Sequence, residues 1–159
     1  IKKTLDALNN IAGEKHCEIR MGLAKDDNLY KPTGFFAKDV WWRGIADLLI
    51  VNGEKAFLID YKTGKNAKYA DTKQLDMLAG AVFVHYPEVK VVKSALAYVV
   101  SNEFIQKKHT VDMYKSYLSV FDDALERLDV AQENDVWNAM DGPLCAYCPV
   151  TSCEHHRKR

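Results

Sequence analysis

Long apolar runs with polar ends mark the middle of the chain. Residues 40–51 and 55–60 are rich in β-branched and apolar side chains, and the Asn52-Gly53 pair between them is a strong hairpin signal. We therefore predict an antiparallel hairpin, whose second strand is mostly buried and opens on a polar end.

The polar end of this hairpin gathers charged side chains. Because strand side chains alternate between faces, Asp60 and Lys62 are expected on one face and Tyr61 on the other. Antiparallel pairing would bring Asp47 of the first strand beside Asp60. The pattern thus predicts two carboxylates with an adjacent ammonium on rigid strands.

Before the hairpin, the apolar spacing changes from helical to alternating. Residues 1–12 are predicted to form a short amphipathic helix that ends at Gly13. Residues 17–24 alternate as a strand, with Cys17 on its apolar face. Residues 26–34 contain the turn-forming residues of a loop.

After the hairpin, the pattern predicts a helix, a strand and a second helix. The first helix is capped by Asp71 and ended by Pro87, and residues 89–100 form a buried strand that returns parallel to the hairpin's second strand. Residues 104–110 are expected to add an edge strand, and residues 110–130 a long helix. The order α-β-β-β-α-β predicts an α/β fold with a mixed central sheet flanked by helices.

Length and composition indicate one domain. The 159 residues are 48% hydrophobic, which suffices for a sizeable core. We expect a single domain over 1–159, with a core in 1–140 and a cysteine-rich tail in 141–159. Since no apolar run reaches membrane-spanning length and the first residues do not begin a signal peptide, a cytoplasmic protein is expected.

The charge balance excludes a bulk attraction to nucleic acid, because 22 basic residues offset 22 acidic ones. Any such attraction must be local. Basic and aromatic side chains do follow the hairpin, and they are candidates for substrate contact: Lys65, Lys68, Tyr69 and Lys73. The basic residues at 157–159 are better explained as a solvated tail.

Two carboxylates beside a lysine suit phosphodiester hydrolysis. Carboxylates bind hard Mg²⁺, the metal polarises the phosphate and lowers the pKa of an attacking water, and a lysine stabilises the developing negative charge. From Asp60 and Lys62 alone, a plain Asp–Lys ion pair is an equally good interpretation.

The wider motif resembles a known nuclease superfamily. The sequence Gly-Ile-Ala-Asp at 44–47, the sequence Asp-Tyr-Lys-Thr-Gly at 60–64, and Gln74 at a helix start resemble the PD-(D/E)XK nucleases. The similarity is closest to their RecB-like exonuclease branch, which includes phage-type members and CRISPR-associated nucleases with cysteine clusters. It implies the restriction-endonuclease-like fold and a Mg²⁺- or Mn²⁺-dependent deoxyribonuclease, most simply an exonuclease of recombination, repair or phage DNA processing.

The resemblance also implies roles for individual residues. Asp47 and Asp60 would ligate the metal together with the backbone carbonyl of Tyr61, and Lys62 would position water and the scissile phosphate. Gln74 would orient the lysine or the DNA backbone. Alternatively, Gln74 completes a capping arrangement with Asp71.

One ligand of the family pattern has no clear match in this sequence. The superfamily usually supplies a further acidic or His ligand from its first helix, where this chain offers only Asp6. Glu18, at the head of the following strand, is the preferred candidate, and Asp6 and His16 stay open.

The tail contains three of the four cysteines, Cys145, Cys148 and Cys153, in a C-x2-C-x4-C arrangement. In an intracellular protein this spacing favours a metal or cluster over disulfides. The resemblance implies an iron–sulfur cluster that Cys17 completes. Zinc with His155 or His156 as the fourth ligand, or free thiols, are the alternatives.

Two further functions stand beside the nuclease. The chain could be a non-catalytic nucleic-acid-binding module, or the nuclease subunit of a larger helicase assembly. The intact set of Asp47, Asp60 and Lys62 argues against the first of these. DNA is the expected partner, with a second copy of the chain or a recombination or replication protein as further ones.

Overall fold

A mixed six-stranded sheet forms the centre of the computed structural model, which describes residues 8–27, 29–65, 67–68 and 70–156. The strand order is β2-β1-β3-β4-β5-β6, and only β4 and β5 run parallel. The strands are β1 (Glu14–Asp26), β2 (Leu29–Thr33), β3 (Trp42–Asn52), β4 (Lys55–Lys62), β5 (Val91–Tyr98) and β6 (Glu103–Thr110). This confirms the predicted α/β fold class with its mixed sheet.

After the first strand, the described chain contains the α-helices α1 (Lys73–His85), α2 (Tyr114–Leu118) and α3 (Asp122–Glu133). Short 3-10 helices cover Val111–Met113 and Pro143–Tyr147. The chain divides after Phe121 into two compact units, the second of which contains α3 and the tail. Of the predicted first helix over 1–12, residues 1–7 with Asp6 lie outside the described residues, and residues 8–9 are helical.

The central hairpin forms as predicted. Asn52 pairs with Lys55, so the turn consists of Gly53 and Glu54. Gly53 has a φ of +55°, a left-handed conformation that glycine adopts without steric cost. This turn sets the register of β3 against β4.

The main core lies between the sheet and α1. Every residue from 75 to 83 of α1 is buried. Gly80 permits a close contact between α1 and α2, because a Cβ there would lie 2.6 Å from the Leu118 side chain of α2. A smaller apolar cluster around Leu48, Ile50 and Ile59 covers the opposite face of the sheet.

The loop predicted before the hairpin is partly wrong. Residues 29–33, predicted as loop, form edge strand β2, in which Pro32 pairs with Leu23. An edge strand tolerates proline because one side of its backbone has no partner strand that needs the missing N–H.

The long helix predicted over 110–130 is broken into three pieces. The Ser116 hydroxyl donates to the Met113 carbonyl at 2.8 Å, and the Ser119 hydroxyl donates to the Ser116 carbonyl at 3.2 Å. Such serine bonds compete with the helical backbone pattern, so α2 ends at Leu118 and a new helix begins at Asp122.

Candidate active site

Three carboxylate positions lie in one row across neighbouring strands. In the β1–β3 ladder Cys17 pairs with Leu48 and Ile19 with Ala46, so the interrupted pair between them is Glu18 with Asp47. The β3–β4 ladder ends at the Leu48–Ile59 pair, and the next positions in register are Asp47 and Asp60. Asp47 and Asp60 thus stand opposite each other in register, just beyond the last paired residues of the hairpin.

The side chains of β1 change faces at this row. Ile19 and Met21 pack in the main core, whereas Leu48, the partner of Cys17, belongs to the smaller cluster on the opposite face. Glu18 has a φ of +52°, and this left-handed residue breaks the two-residue alternation. The prediction that Cys17 shares an apolar face with Ile19 and Met21 is wrong, and its thiol is exposed.

Asp47 takes the place of a backbone acceptor in the ladder. Its Oδ2 accepts a hydrogen bond from the Tyr61 amide at 2.7 Å. The Tyr61 side chain packs on the smaller cluster, away from Lys62. Burial raises the pKa of the Tyr61 hydroxyl, and the charges of Asp47 and Cys17 raise it further. This phenol therefore stays protonated and neutral near neutral pH.

Asp60, Lys62 and Gln74 form a closed polar network on the α1 side of the sheet. The Lys62 ammonium lies 2.7 Å from Asp60 Oδ2 and donates to Gln74 Oε1 at 3.1 Å. The Gln74 amide nitrogen donates to Asp60 Oδ2 at 3.3 Å. Lys62 is one-third exposed, at 33%, so the ammonium of this half-buried network reaches solvent.

Helix α1 begins differently from the capped start that the sequence predicts. Its N-cap is Thr72, without a side-chain cap bond, rather than Asp71. The Asp71 carboxylate instead accepts from the Lys73 amide at 2.8 Å, which still satisfies one free N–H of the first turn. The Gln74 side chain is thereby left for Asp60 and Lys62 rather than for a capping box.

The two described candidates for the further ligand, His16 and Glu18, form no metal-binding group with the two aspartates. The His16 ring lies 6.0 Å from that of Tyr86, and its Nε2 is 3.4 Å from Glu14. Glu18 shares the carboxylate row but is exposed. Within the described ranges, no three His, Cys, Asp or Glu side chains come together as a metal-binding group.

The predicted substrate-contacting residues lie around the loop from β4 to α1. Lys65, Lys68 and Lys73 are exposed, and the Lys73 ammonium lies 5.5 Å from the centre of the Phe121 ring. Tyr69 lies outside the described residues. The Ala67 amide donates to a Glu103 carboxylate oxygen at 3.0 Å, which ties this loop to the start of β6.

The cysteines of the tail lie in the second unit, and none of the three forms a disulfide. Cys145 and Cys148 are partly buried and Cys153 is exposed. The Cys145 sulfur accepts from the Gly142 amide at 3.3 Å. The buried Nδ1 of His156 has no hydrogen-bond partner in the described part of the chain. Here too, the described side chains form no group of three that could hold a metal.

A second polar network, which the sequence reasoning missed, lies between α1 and the last two strands. Asp76 accepts from the Lys107 ammonium at 2.7 Å and from His109 Nε2 at 2.8 Å, and His109 Nδ1 lies 3.4 Å from the Ser94 hydroxyl. Asp76, Ser94 and His109 are all buried, which denies a substrate access to the serine. In the sequence, the only sign of this network is Asp76, a charged residue inside the most apolar stretch of α1.

The comparisons with known proteins decide the family. A sequence profile described as the PD-(D/E)XK nuclease superfamily matches residues 10–153. The chain belongs to the PD-(D/E)XK nuclease superfamily. That family is one of phosphodiester-cleaving nucleases, and it implies DNA as the substrate.

Other comparisons add little to this PD-(D/E)XK assignment. A solved structure titled "Crystal structure of SSO0001" is similar at 12% identity and a TM-score of 0.44, over 98% of this chain and 67% of the other. Among curated proteins, none matches the sequence. In the part of the chain that the structure describes, no helix has the length and apolar character needed to cross a membrane.

Proposed function

We propose that this chain hydrolyses DNA phosphodiester bonds with Mg²⁺ or Mn²⁺, as an exonuclease of the RecB-like branch. The observation that supports this is the Asp60–Lys62–Gln74 network with Asp47 on the adjacent strand. An ion pair alone would not need a second carboxylate in the next register position, because two like charges side by side destabilise the fold. A bound cation removes that cost.

The donor set fits a hard divalent cation. Mg²⁺ typically takes one or two protein carboxylates and completes its shell with waters and substrate phosphate. Asp47 and Asp60 supply the carboxylates, and the Tyr61 carbonyl is the backbone oxygen between Asp60 and Lys62. When bound, the cation supplies the charge that polarises the phosphate and lowers the pKa of the attacking water. Glu18, in the same row, is the further candidate ligand.

Lys62 and Gln74 act on the phosphate side of this site. The Lys62 ammonium is held between Asp60 and Gln74, and from there it offsets the negative charge that develops on the phosphate oxygens. Gln74 holds the ammonium through its amide oxygen and Asp60 through its amide nitrogen. The glutamine therefore fixes the separation between the acidic and the basic group.

The test is degradation of end-labelled linear DNA with Mg²⁺ or Mn²⁺ by the parent and by Asp60→Asn and Lys62→Ala. Each substitution is expected to lower the rate about 100-fold or more, as removal of a charge-stabilising group does in other active sites. Lys107→Ala is the matched control, because that lysine also lies 2.7 Å from an aspartate. It is expected to keep the parent's rate.

Three results would contradict the proposal. Cleavage that survives both Asp60→Asn and Lys62→Ala would exclude this site as the source of activity. A closed circular DNA degraded as fast as the linear form would exclude the exonuclease assignment and favour an endonuclease. A folded parent that binds DNA without cleaving it would instead support the non-catalytic module.

We propose separately that the cysteine tail holds an iron–sulfur cluster or zinc. The support is the spacing of Cys145, Cys148 and Cys153, together with the partnerless His156 nitrogen beside them in sequence. A visible absorption spectrum and elemental analysis of the protein purified without oxygen distinguish the two centres. Colourless, metal-free protein would overturn both.

A further inference from the structure

Two phenylalanines in the connection from β2 to β3 form a surface with two arginines of the neighbouring strands. We call Phe35, Phe36, Arg20 and Arg43 the aromatic platform. We propose that this platform binds the unpaired end of a DNA strand, with a base stacked on Phe36 and the arginines at its phosphates. The proposal rests on the proposed nuclease function, for which it names the form of substrate.

The chain is built to place these rings over the sheet. Gly22 and Arg20 lie two residues apart in β1, so a side chain at position 22 would point to the same face of the sheet as Arg20. A Cβ at Gly22 would lie 2.8 Å from the Thr33 carbonyl oxygen and 2.9 Å from that of Gly34, so only glycine lets the chain cross there. This crossing brings Phe35 directly over the two arginines.

The contacts within the platform are those of cations on aromatic faces. The guanidinium carbon of Arg20 lies 5.8 Å from the centre of the Phe35 ring, and that of Arg43 lies 5.6 Å from Phe35 and 5.9 Å from Phe36. The two rings are perpendicular, with centres 5.0 Å apart. Guanidinium planes and aromatic rings both stack on nucleic-acid bases.

Phe36 is open to a ligand. It is 75% exposed, although a phenylalanine ring left in water forgoes the free energy of burial. Ile45, directly opposite Arg20 in the β1–β3 ladder, is 46% exposed and extends the apolar surface towards Asp47. The platform therefore presents one accessible ring and an apolar path from it to the carboxylate row.

The charge of the platform suits a phosphate backbone. Among the described residues, neither Arg20 nor Arg43 takes part in an ion pair, so both guanidinium charges are available. The one acidic group nearby in the loop, Asp39, accepts a hydrogen bond from the Thr33 hydroxyl at 3.1 Å. Lys38 in the same loop is exposed and adds a further positive charge.

The position of the platform indicates an unpaired strand rather than a duplex. Arg20 lies two residues from Glu18 and Arg43 four residues from Asp47, roughly 7 and 13 Å at the rise of a strand. Met21 and Leu23, which alternate with Arg20 and Gly22 along β1, pack in the main core, so the platform lies on the sheet face away from α1 and from the Asp60–Lys62–Gln74 network. In the described chain β4 pairs with β3 only from Leu48 onward. The open β3 edge lets a single strand pass to the carboxylates, whereas paired bases cannot stack on Phe36.

The experiment measures binding without cleavage. In EDTA, fluorescence anisotropy compares a blunt duplex with the same duplex carrying a short single-stranded overhang, and 2-aminopurine in the overhang reports stacking. The parent is expected to prefer the overhang and to quench 2-aminopurine. Phe36→Ala should weaken overhang binding by about fivefold or more, abolish the quenching and leave blunt-duplex binding unchanged.

The controls remove an exposed ring and an exposed cation far from the platform. Phe104→Ala removes a ring that is 41% exposed at the far edge of the sheet, and it should bind like the parent. Arg43→Gln should weaken overhang binding more than Lys108→Gln, which removes a cation from that same edge. Thermal unfolding checks that each variant is folded.

The outcomes separate this inference from the proposed function. If Phe36→Ala binds the overhang and quenches 2-aminopurine as the parent does, the platform is excluded even where cleavage depends on Asp60 and Lys62. If the parent binds blunt and overhanging DNA equally, the inference is likewise wrong. Binding that depends on Phe36 in a protein without nuclease activity would keep the platform and overturn the nuclease.

Discussion

Two aspartate–lysine pairs contact α1, and their ion-pair distances are identical. Asp60 lies 2.7 Å from Lys62, and Asp76 lies 2.7 Å from Lys107. Exposure differs little, since the aspartates are 15% and 8% exposed and the lysines 33% and 40%. Neither the distance nor the burial of such a pair therefore tells a candidate site from a structural contact.

The neighbours of the two pairs do tell them apart. Asp60 has Asp47 in the next register position, so negative charge accumulates where the sheet opens. Asp76 has the fully buried His109 as its second partner, and the Tyr117 ring packs edge-on against that imidazole at 4.8 Å. One pair is surrounded by groups that attract a cation, and the other by groups that complete a core.

The largest expected effect is on stability at the buried pair. Asp76→Ala leaves the His109 imidazole without its partner, and we expect a loss of about 2–4 kcal/mol in the free energy of unfolding. Lys107 contributes less, because its ammonium reaches water. Asp60→Ala is the matched variant. Its free energy of unfolding should fall by less than about 1 kcal/mol, because Lys62 is also able to reach solvent.

Urea unfolding of the parent, Asp76→Ala and Asp60→Ala measures this difference in stability. For DNA cleavage we expect the reverse order, with the larger loss in Asp60→Ala. Asp60→Ala is expected to be folded and inactive, whereas Asp76→Ala should retain activity at temperatures where it stays folded. Equal destabilisation by the two substitutions would mean that both networks are structural, and the distinction would fail.

A smaller effect separates two roles of Asp47. Its carboxylate holds the Tyr61 amide at 2.7 Å and also supplies charge to the site. Asp47→Ala should cost about 1–2 kcal/mol of stability, because the half-buried amide loses its acceptor. Asp47→Asn keeps an acceptor oxygen and should cost less than half as much.

Activity gives the second half of this test, since both Asp47 variants remove the negative charge. Both are expected to lose cleavage to a similar extent, although only the alanine variant loses stability. An asparagine variant that cleaves DNA like the parent would show that Asp47 acts through the Tyr61 backbone alone. The carboxylate row would then contribute structure rather than charge.

The hairpin and the Asp60–Lys62 pair were predictable because they depend on local rules. Alternation and one turn signal determine which side chains share a face. The break in β1 was not predictable, because the left-handed backbone at Glu18 interrupts an otherwise regular alternation. That one residue moved Cys17 from the expected apolar face to the surface.

Other differences depend on contacts between distant parts of the chain. The Asp76–His109 bond joins residues 33 positions apart, and no local pattern indicates that they meet. Strand β2 was missed because Pro32 is a turn signal, and only its place at the edge of the sheet makes it acceptable. The prediction of one long helix was wrong because the apolar spacing continues through Ser116 and Ser119, whose side-chain bonds compete with the backbone bonds of a helix.

The smallest expected effect is a pH dependence of stability from the buried pair. Burial lowers the pKa of His109 from its ordinary 6.5, and the nearby Lys107 charge adds to this, while Asp76 partly opposes it. The folded protein thus binds fewer protons than the unfolded chain just below pH 6.5. Stability should therefore be complete above that pH and decrease as the pH falls towards the lowered value, by at most about 1.4 kcal/mol per unit.

Urea unfolding of the parent and of His109→Gln at several pH values isolates this contribution. The variant is less stable throughout, so the comparison concerns the slope with pH, which should be shallower than the parent's just below pH 6.5. Parallel slopes for parent and His109→Gln would mean that folding leaves the pKa of His109 unchanged, and the prediction would fail. A parent slope shallower than the variant's would mean that Asp76 holds the imidazole protonated, which would make the buried network an ion pair of the same kind as the one at Asp60.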